Sequence, residues 1–294
     1  MKVALVAPSA HNDLAFTQSM YSALKTLQAK YHFKLAVSEN QFVVADAANI
    51  IRQYAAEGYN LIIAHGSQYG STIQQLAPKF PKVSFAWGTA SSTYGRKNIY
   101  AYQAASNEGG FVQGYMAALL SKSKVIGEIG PIATGDAKLY VDGFKAGALA
   151  AVPKATVRVS YTGSFSDPSL MSKQATEYLA QKVDVMTGSS QSVVGAITVC
   201  KAKNVPWFGT QWSQASLAPK QVVASQVYDW TGILTKMLNN VKAGKLGGTY
   251  YTIDLQNGGE KIAFNPGFKL PASVKAAAMK EIAAIEKGSV KVQQ

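Results

Sequence analysis

Three histidines, a sparse set of acids and one cysteine are the first residues to weigh for reaction chemistry in this chain. His11 and His65 fall at predicted strand ends, where a catalytic base or metal ligand needs a partner carboxylate or nucleophile nearby. No two histidines stand at metal-ligand spacing, and a polar loop role is the plainer reading of each. Cys200 lies in the helix-like run Val193 to Cys200 and reads as a buried, inert thiol. As the sole cysteine it makes no disulfide within the chain. Gly-x-Ser-x-Gly and the phosphate-binding Gly-x-x-x-x-Gly-Lys-Ser/Thr are both absent. After the first strand Pro8-Ser9-Ala10-His11-Asn12 stands where a dinucleotide fingerprint would begin. We therefore assign no catalytic residue, no metal ligand and no cofactor.

The residues better suited to holding a molecule are rings and amides. Phe16, Tyr69, Phe165, Trp212 and Trp230 all lie in or beside strand-to-helix loops, whereas core packing favours strands and helix seams, as for Phe85, Phe111 and Phe144. A large ring at the rim of a cleft suggests stacking on a planar ligand. Around these rings lie Asn12, Ser67, Gln68, Asn107, Ser189, Ser190, Gln191 and Gln211, which hydrogen-bond without carrying charge. Most acids fall in helices as solvated charges, but Asp13, Glu108, Asp167 and Asp229 each follow a predicted strand. There an acid accepts from a ligand's N–H groups or caps the next helix, and Asp167 before Pro168 suits capping well. Few charges and many amides point to an uncharged or weakly charged polar ring system.

These loops need a scaffold that brings them together. Val3 to Ala7 reads as a buried strand, followed by a helix to about Lys30, a strand at His32 to Val37 and a helix at Asp46 to Glu57. Leu61 to Ala64 is a continuous apolar strand of the kind found in sheets covered on both faces. A short helix at Thr72 to Ala77 and strands at Val83 to Trp87 and Ile99 to Gln103 complete one unit. The pattern then restarts. A helix at Asn107 to Lys122 leads to a strand at Val125 to Gly130, a helix at Ala137 to Ala150 and a strand at Thr156 to Tyr161. A helix at Ser169 to Gln181, a strand at Val183 to Met186, a helix at Val193 to Lys201 and a strand at Pro206 to Gly209 follow. Strands at Val222 to Val227 and Thr249 to Leu255 flank a helix at Trp230 to Val241, and Ala272 to Glu286 closes the chain as a helix. This predicts two Rossmann-like α/β lobes with parallel sheets: residues 1–104 with about 229–255, and residues 105–228. Residues 256–294 form a hairpin or helix whose lobe the sequence leaves open. A chain that crosses between lobes more than once builds a multi-strand hinge with a cleft, and ligands of open α/β sheets bind outside the carboxyl ends of the strands.

Composition narrows the partners. At 294 residues the length suits about two domains, and 48% apolar against 15% charged residues excludes global disorder. The formal charge of +13 would suit nucleic acid or an anionic surface, but all cations except Arg52, Arg96 and Arg158 are lysines spread singly. Nucleic-acid readers cluster arginine, so a solvated cationic surface is the simpler account and no nucleic-acid partner is expected. No apolar run reaches the roughly 18 residues of a membrane span. Met1 abuts the first strand, which fits a cytoplasmic protein or one whose export signal has been trimmed.

The same loops carry a resemblance. Asn12-Asp13-Leu14-Ala15-Phe16-Thr17-Gln18, Leu61 to Gly66, Asn107 to Tyr115, Val141-Asp142-Gly143-Phe144-Lys145-Ala146-Gly147 and Tyr161 to Pro168 follow one another as in the basic membrane protein (PnrA-like) family. Through them the chain resembles these ABC-transporter substrate-binding proteins, whose characterised members bind purine nucleosides or related bases. The resemblance implies a type I periplasmic-binding-protein fold and a monomer that hands its ligand to an ABC permease. It also implies a periplasmic location or a cell-surface lipoprotein. Phe16 matches the family's stacking aromatic, Asp13 the acid of the same motif, and Phe165 another ring near the pocket. Where the family shows Val-Asp-Ser-Asp, whose acids include a partner for ribose hydroxyls, this chain has Thr210-Gln211-Trp212-Ser213. A later family lysine is displaced by Tyr228, followed by Asp229 and Trp230. These departures favour a free purine base or another flat heterocycle over a nucleoside. A nucleoside- or base-processing enzyme using His65 or His11 is the alternative. A sugar-sensing regulator of the same fold would lack its helix-turn-helix segment here.

Overall fold

A computed structural model describes residues 1–293. The elements run β1 (Lys2–Val6), α1 (Phe16–Tyr31), β2 (Lys34–Ser38), α2 (Val44–Ala56), β3 (Leu61–Ala64), α3 (Gly70–Leu76), β4 (Ser84–Gly88) and β5 (Ile99–Ala104). Then come α4 (Ser106–Leu120), β6 (Val125–Gly130), α5 (Gly135–Ala151), β7 (Thr156–Tyr161), α6 (Pro168–Ala180), β8 (Val185–Gly188), α7 (Val194–Lys203) and β9 (Trp207–Gly209). The chain closes with β10 (Val222–Tyr228), α8 (Thr231–Lys242), β11 (Thr249–Ile253), β12 (Glu260–Phe264) and α9 (Ala272–Glu286).

Two six-stranded sheets result. The first has the order β11-β5-β4-β3-β1-β2 and is parallel throughout. The second has the order β12-β10-β9-β8-β6-β7, parallel except that β12 runs antiparallel to β10. β3 and β4 are buried at every residue, as continuous apolar strands under helices on both faces must be. Because these strands are parallel, the loops that follow them gather at one edge of each sheet, which is the ligand edge of such folds.

The chain divides into two compact units, 1–13 with 17–104 and 229–253, and 14–16 with 105–228 and 254–293. The first unit's core joins Ile51, Ile62, Tyr69, Phe85 and Ile99. The second has a cluster on each face of its sheet. Phe208 packs with Met116 and Phe144, while its neighbour Trp207 packs with Met171 and Ile197, as alternation along a strand requires. Val274, Ala278 and Ile285 of α9 close the first of these clusters. α4 and α5 meet backbone to backbone: a Cβ on Gly114 would lie 1.9 Å from the Phe144 carbonyl oxygen, and one on Gly147 equally close to that of Phe111.

Leu61–Ala64, Val125–Gly130, Thr156–Tyr161 and Ala272–Glu286 form where periodicity places them. Among the described residues β12, antiparallel to β10, is the exception to the parallel direction expected of the sheets. Its first residue, Glu260, is buried, which hides the strand behind an apparently solvated acid.

Candidate functional site

In the first unit, the loop after β1 is held by Asp13. Its carboxylate accepts from Ser9 Oγ at 2.6 Å and from the backbone N–H groups of Thr17 at 3.2 Å and Gln18 at 3.0 Å. It thus satisfies donors that the first turn of α1 leaves open. Asn12 beside it is exposed. His11 donates its backbone N–H to Glu39 Oε2 and sets Nδ1 against the same oxygen, both at 2.7 Å, with its ring 4.9 Å from that of Tyr21. The backbone bond from His11, then its side-chain bond, hold the Glu39 carboxyl below its ordinary range.

The loop after β3 brings His65, Ser67, Gln68 and Tyr69 to the same edge. Ser67 and Gln68 are half-buried there. Tyr69 is core: it is fully buried and donates its hydroxyl to the Gln41 carbonyl at 2.7 Å. Trp230 also points inward. Its indole N–H donates to Ser19 Oγ at 2.9 Å, and its ring packs edge-on against His65 and Tyr102. Both rings are thus buried in the structure and not exposed at the edge. His65 Nδ1 lies 2.8 Å from the Tyr102 hydroxyl. Asp229 Oδ1 accepts from the Thr231 N–H at 3.1 Å and hydroxyl at 2.5 Å, capping α8.

Two residues missed by the sequence reasoning stand at the end of β4. Trp87 Nε1 and Thr89 Oγ1 have no hydrogen-bond partner among the described residues, and the Trp87 ring stacks on exposed Tyr94 at 5.6 Å. Trp87 ends the strand expected at Val83 to Trp87, and the loop that follows brings Tyr94 onto it.

In the second unit, the β8 and β9 loops carry the polar set. Ser189 and Ser190 are buried, with Ser190 Oγ 2.8 Å from Ser192 Oγ. Phe165 and Trp212 are half-buried, and Asp167 caps α6 by accepting from the N–H groups of Ser169 at 2.8 Å and Leu170 at 3.4 Å. Gln211 sits in left-handed backbone at φ 68°, a conformation that a non-glycine residue adopts only when its surroundings hold it. The Tyr228 N–H donates to its carbonyl at 3.2 Å. Its side-chain oxygen is buried and has no partner among the described residues. Phe16 is also buried, and with Leu14 and Ala15 belongs to this second unit.

Asn107 is placed elsewhere. Its amide donates to the Val292 and Gln293 carbonyls at 3.0 and 3.2 Å, clamping the chain's end onto α4. Its Oδ1 is buried and has no hydrogen-bond partner among the described residues, so the same side chain keeps an acceptor open beside the clamp. Cys200 is buried, its thiol pushed up to about 12, and its sulfur lies 3.7 Å from that of Met186.

Sequence comparison places a similarity over nearly the whole chain. A family model described as ABC transporter substrate-binding protein PnrA-like matches residues 1–293. A purine-binding protein of Brucella abortus is 29% identical over 232 residues, covering 78% of this chain and 65% of the relative's own length. An ABC transporter nucleoside-binding protein of Lactococcus lactis is 24% identical over 270 residues, covering 84% of this chain and 77% of the relative. An ABC transporter solute-binding protein of Conexibacter woesei superposes with a TM-score of 0.82 at 22% identity, covering 100% of this chain and 98% of the other. That likeness shows the shared type I periplasmic-binding-protein fold.

Proposed function

The chain belongs to the PnrA-like family of ABC transporter substrate-binding proteins, and on that premise we propose that it captures a purine base, or a nucleoside or similarly flat heterocycle, and delivers it unchanged to a membrane permease. Its relatives supply the class of ligand: one is named for purines and another for nucleosides. The observation that carries the reading is Gln211. A buried amide oxygen without a protein partner costs free energy unless something donates to it, and a purine edge presents N–H donors. Half-buried Trp212 adjoins it, so stacking and edge recognition come from one loop.

In this reading Phe16, Trp212 and Phe165 offer ring faces, while Asn12, Ser67, Gln68, Ser189, Ser190 and Gln211 serve the ligand's polar edge. Asp13 and Asp229 hold the loops through the caps described above. The run Thr210-Gln211-Trp212-Ser213, with no acid to pair with ribose hydroxyls, favours the base over its riboside. The protein works as a monomer outside the cytoplasm, in the periplasm or as a cell-surface lipoprotein.

Titration calorimetry with hypoxanthine, guanine and their ribosides tests this, with mass spectrometry of small molecules released from the purified protein. Binding of a base at least as tight as that of its riboside is expected. Heats at the blank level for all four, or tight riboside binding without base binding, would reject the respective part. Chromatography after incubation must return the ligand intact, because turnover would favour a processing enzyme.

A further inference from the structure

Gln214 is buried at 0% exposure behind the loop that carries Gln211 and Trp212. Its amide orientation is settled by a partner that can only donate: the Trp207 indole N–H, 3.0 Å from Oε1. Nε2 therefore faces two acceptors, the Thr210 carbonyl at 3.1 Å and the Leu14 carbonyl at 3.5 Å. The backbone N–H of Gln214 donates to Ser225 Oγ at 3.1 Å. Gly209 is required beneath it, since a Cβ there would lie 2.8 Å from Gln214 Oε1 and 2.5 Å from Ser225 Oγ. One amide thus grips the segment ending in Phe16 and the start of the loop bearing Gln211 and Trp212. Leu14 itself stands in left-handed backbone at φ 51°, a conformation that external contacts must hold.

We infer that Gln214 is a positioning residue for ligand binding, setting Leu14–Phe16 and Thr210–Trp212 into one surface without touching the ligand. Its role in binding rests on the purine reading above; its hold on the Leu14–Phe16 segment does not. Gln214→Glu keeps the acceptor for Trp207 but turns a carboxylate toward two carbonyls. Hypoxanthine affinity at pH 8 is expected to fall at least tenfold and to recover, relative to the parent protein, as the pH is lowered to 5. Protonation there restores one donor. The amide's hydrogen-bond partners are the Trp207 indole and two carbonyls, and the adjoining backbone N–H is held by the Ser225 hydroxyl; none of these ionises in this range, so the recovery belongs to the introduced carboxyl.

A merely structural role would give a loss that pH does not reverse, and that result would overturn the proposal. Gln214→Met removes the amide altogether and should lose affinity at every pH. Combined with Phe16→Ala, Gln214→Glu should add less than the product of the two single effects, whereas full multiplicativity would count against coupling. Hydrogen exchange of the ligand-free protein separates the two readings. Amides of residues 14–16 should exchange at least tenfold faster in Gln214→Glu, and unchanged exchange would sink the positioning role whatever the protein binds. Parent protein that binds no purine would instead remove the purine reading, leaving exchange to judge the segment's anchorage.

Discussion

The Tyr228 hydroxyl donates to Ser106 Oγ at 2.8 Å, joining the last residue of β10 to the first turn of α4 in the interior of the second unit. These are the points at which the chain leaves and enters that unit. The neighbouring Gln226 amide donates to the Ser106 carbonyl at 3.0 Å and to Glu260 Oε1, which also accepts the Gly109 N–H at 3.0 Å. Glu108 Oε2 accepts the Leu255 N–H at 3.0 Å, so the return to this unit after Ile253 is tied to the same helix. Tyr228→Phe should lower the unfolding free energy by about 1–3 kcal/mol through the stranded Ser106 hydroxyl, read from urea denaturation. An unchanged midpoint would mean that solvent replaces the bond.

Phe16→Ala is expected to weaken purine binding by about 1–3 kcal/mol. Calorimetry giving the parent affinity would remove Phe16 from the stacking set.

Asp13→Ala strips three acceptor contacts from the start of α1. Loss of such a cap should cost about 1–2 kcal/mol of stability, measured by thermal or urea unfolding, and Asp13→Asn should recover part of it. Equal stability of Asp13→Ala and the parent would show that the cap is dispensable.

Glu128 on β6 is fully buried, and neither carboxylate oxygen has a partner among the described residues. Desolvation, then the Asp142 charge, raise its pKa well above the ordinary range, with Lys145 opposing. For an acid raised in the folded state, stability is complete below the unfolded pKa and is lost as pH climbs toward the folded one. The parent protein should therefore lose stability from about pH 4.5 upward, by at most about 1.4 kcal/mol per pH unit for this group. Glu128→Gln should flatten that slope and melt higher than the parent at pH 8. Parallel stability curves for the two proteins between pH 5 and 8 would contradict this.

Gln211→Asp places an acid at the first of the two positions, 211 and 213, where the resembling family carries one. Riboside affinity should rise several-fold relative to base affinity, and an unchanged ratio in competition titrations would detach residue 211 from sugar selection.

Most elements were legible because their causes are local. Leu61–Ala64 is a strand wherever it is buried, and the spacing of Phe16, Met20, Leu24 and Leu27 suits one helix face. The candidate site was legible only in part. A ring next to a strand end can face solvent or the layer below, and that choice depends on neighbours distant in sequence. Trp230 turns inward because Ser19 offers its indole an acceptor and His65 and Tyr102 pack against its ring. Gln214 escaped notice for the same reason: its partners lie as far away as Leu14. β12 was missed because Glu260, an acid in the interior, breaks the alternation that would have announced a strand.

The sealed thiol at Cys200 gives the protein a built-in timer. Packed at 0% exposure against Met186 and held protonated, it stays out of reach of maleimides until the second unit opens. Its labelling rate in native buffer then counts those openings one molecule at a time. Slower labelling with a bound molecule present would register how far that occupant extends the unit's lifetime, with no engineered reporter.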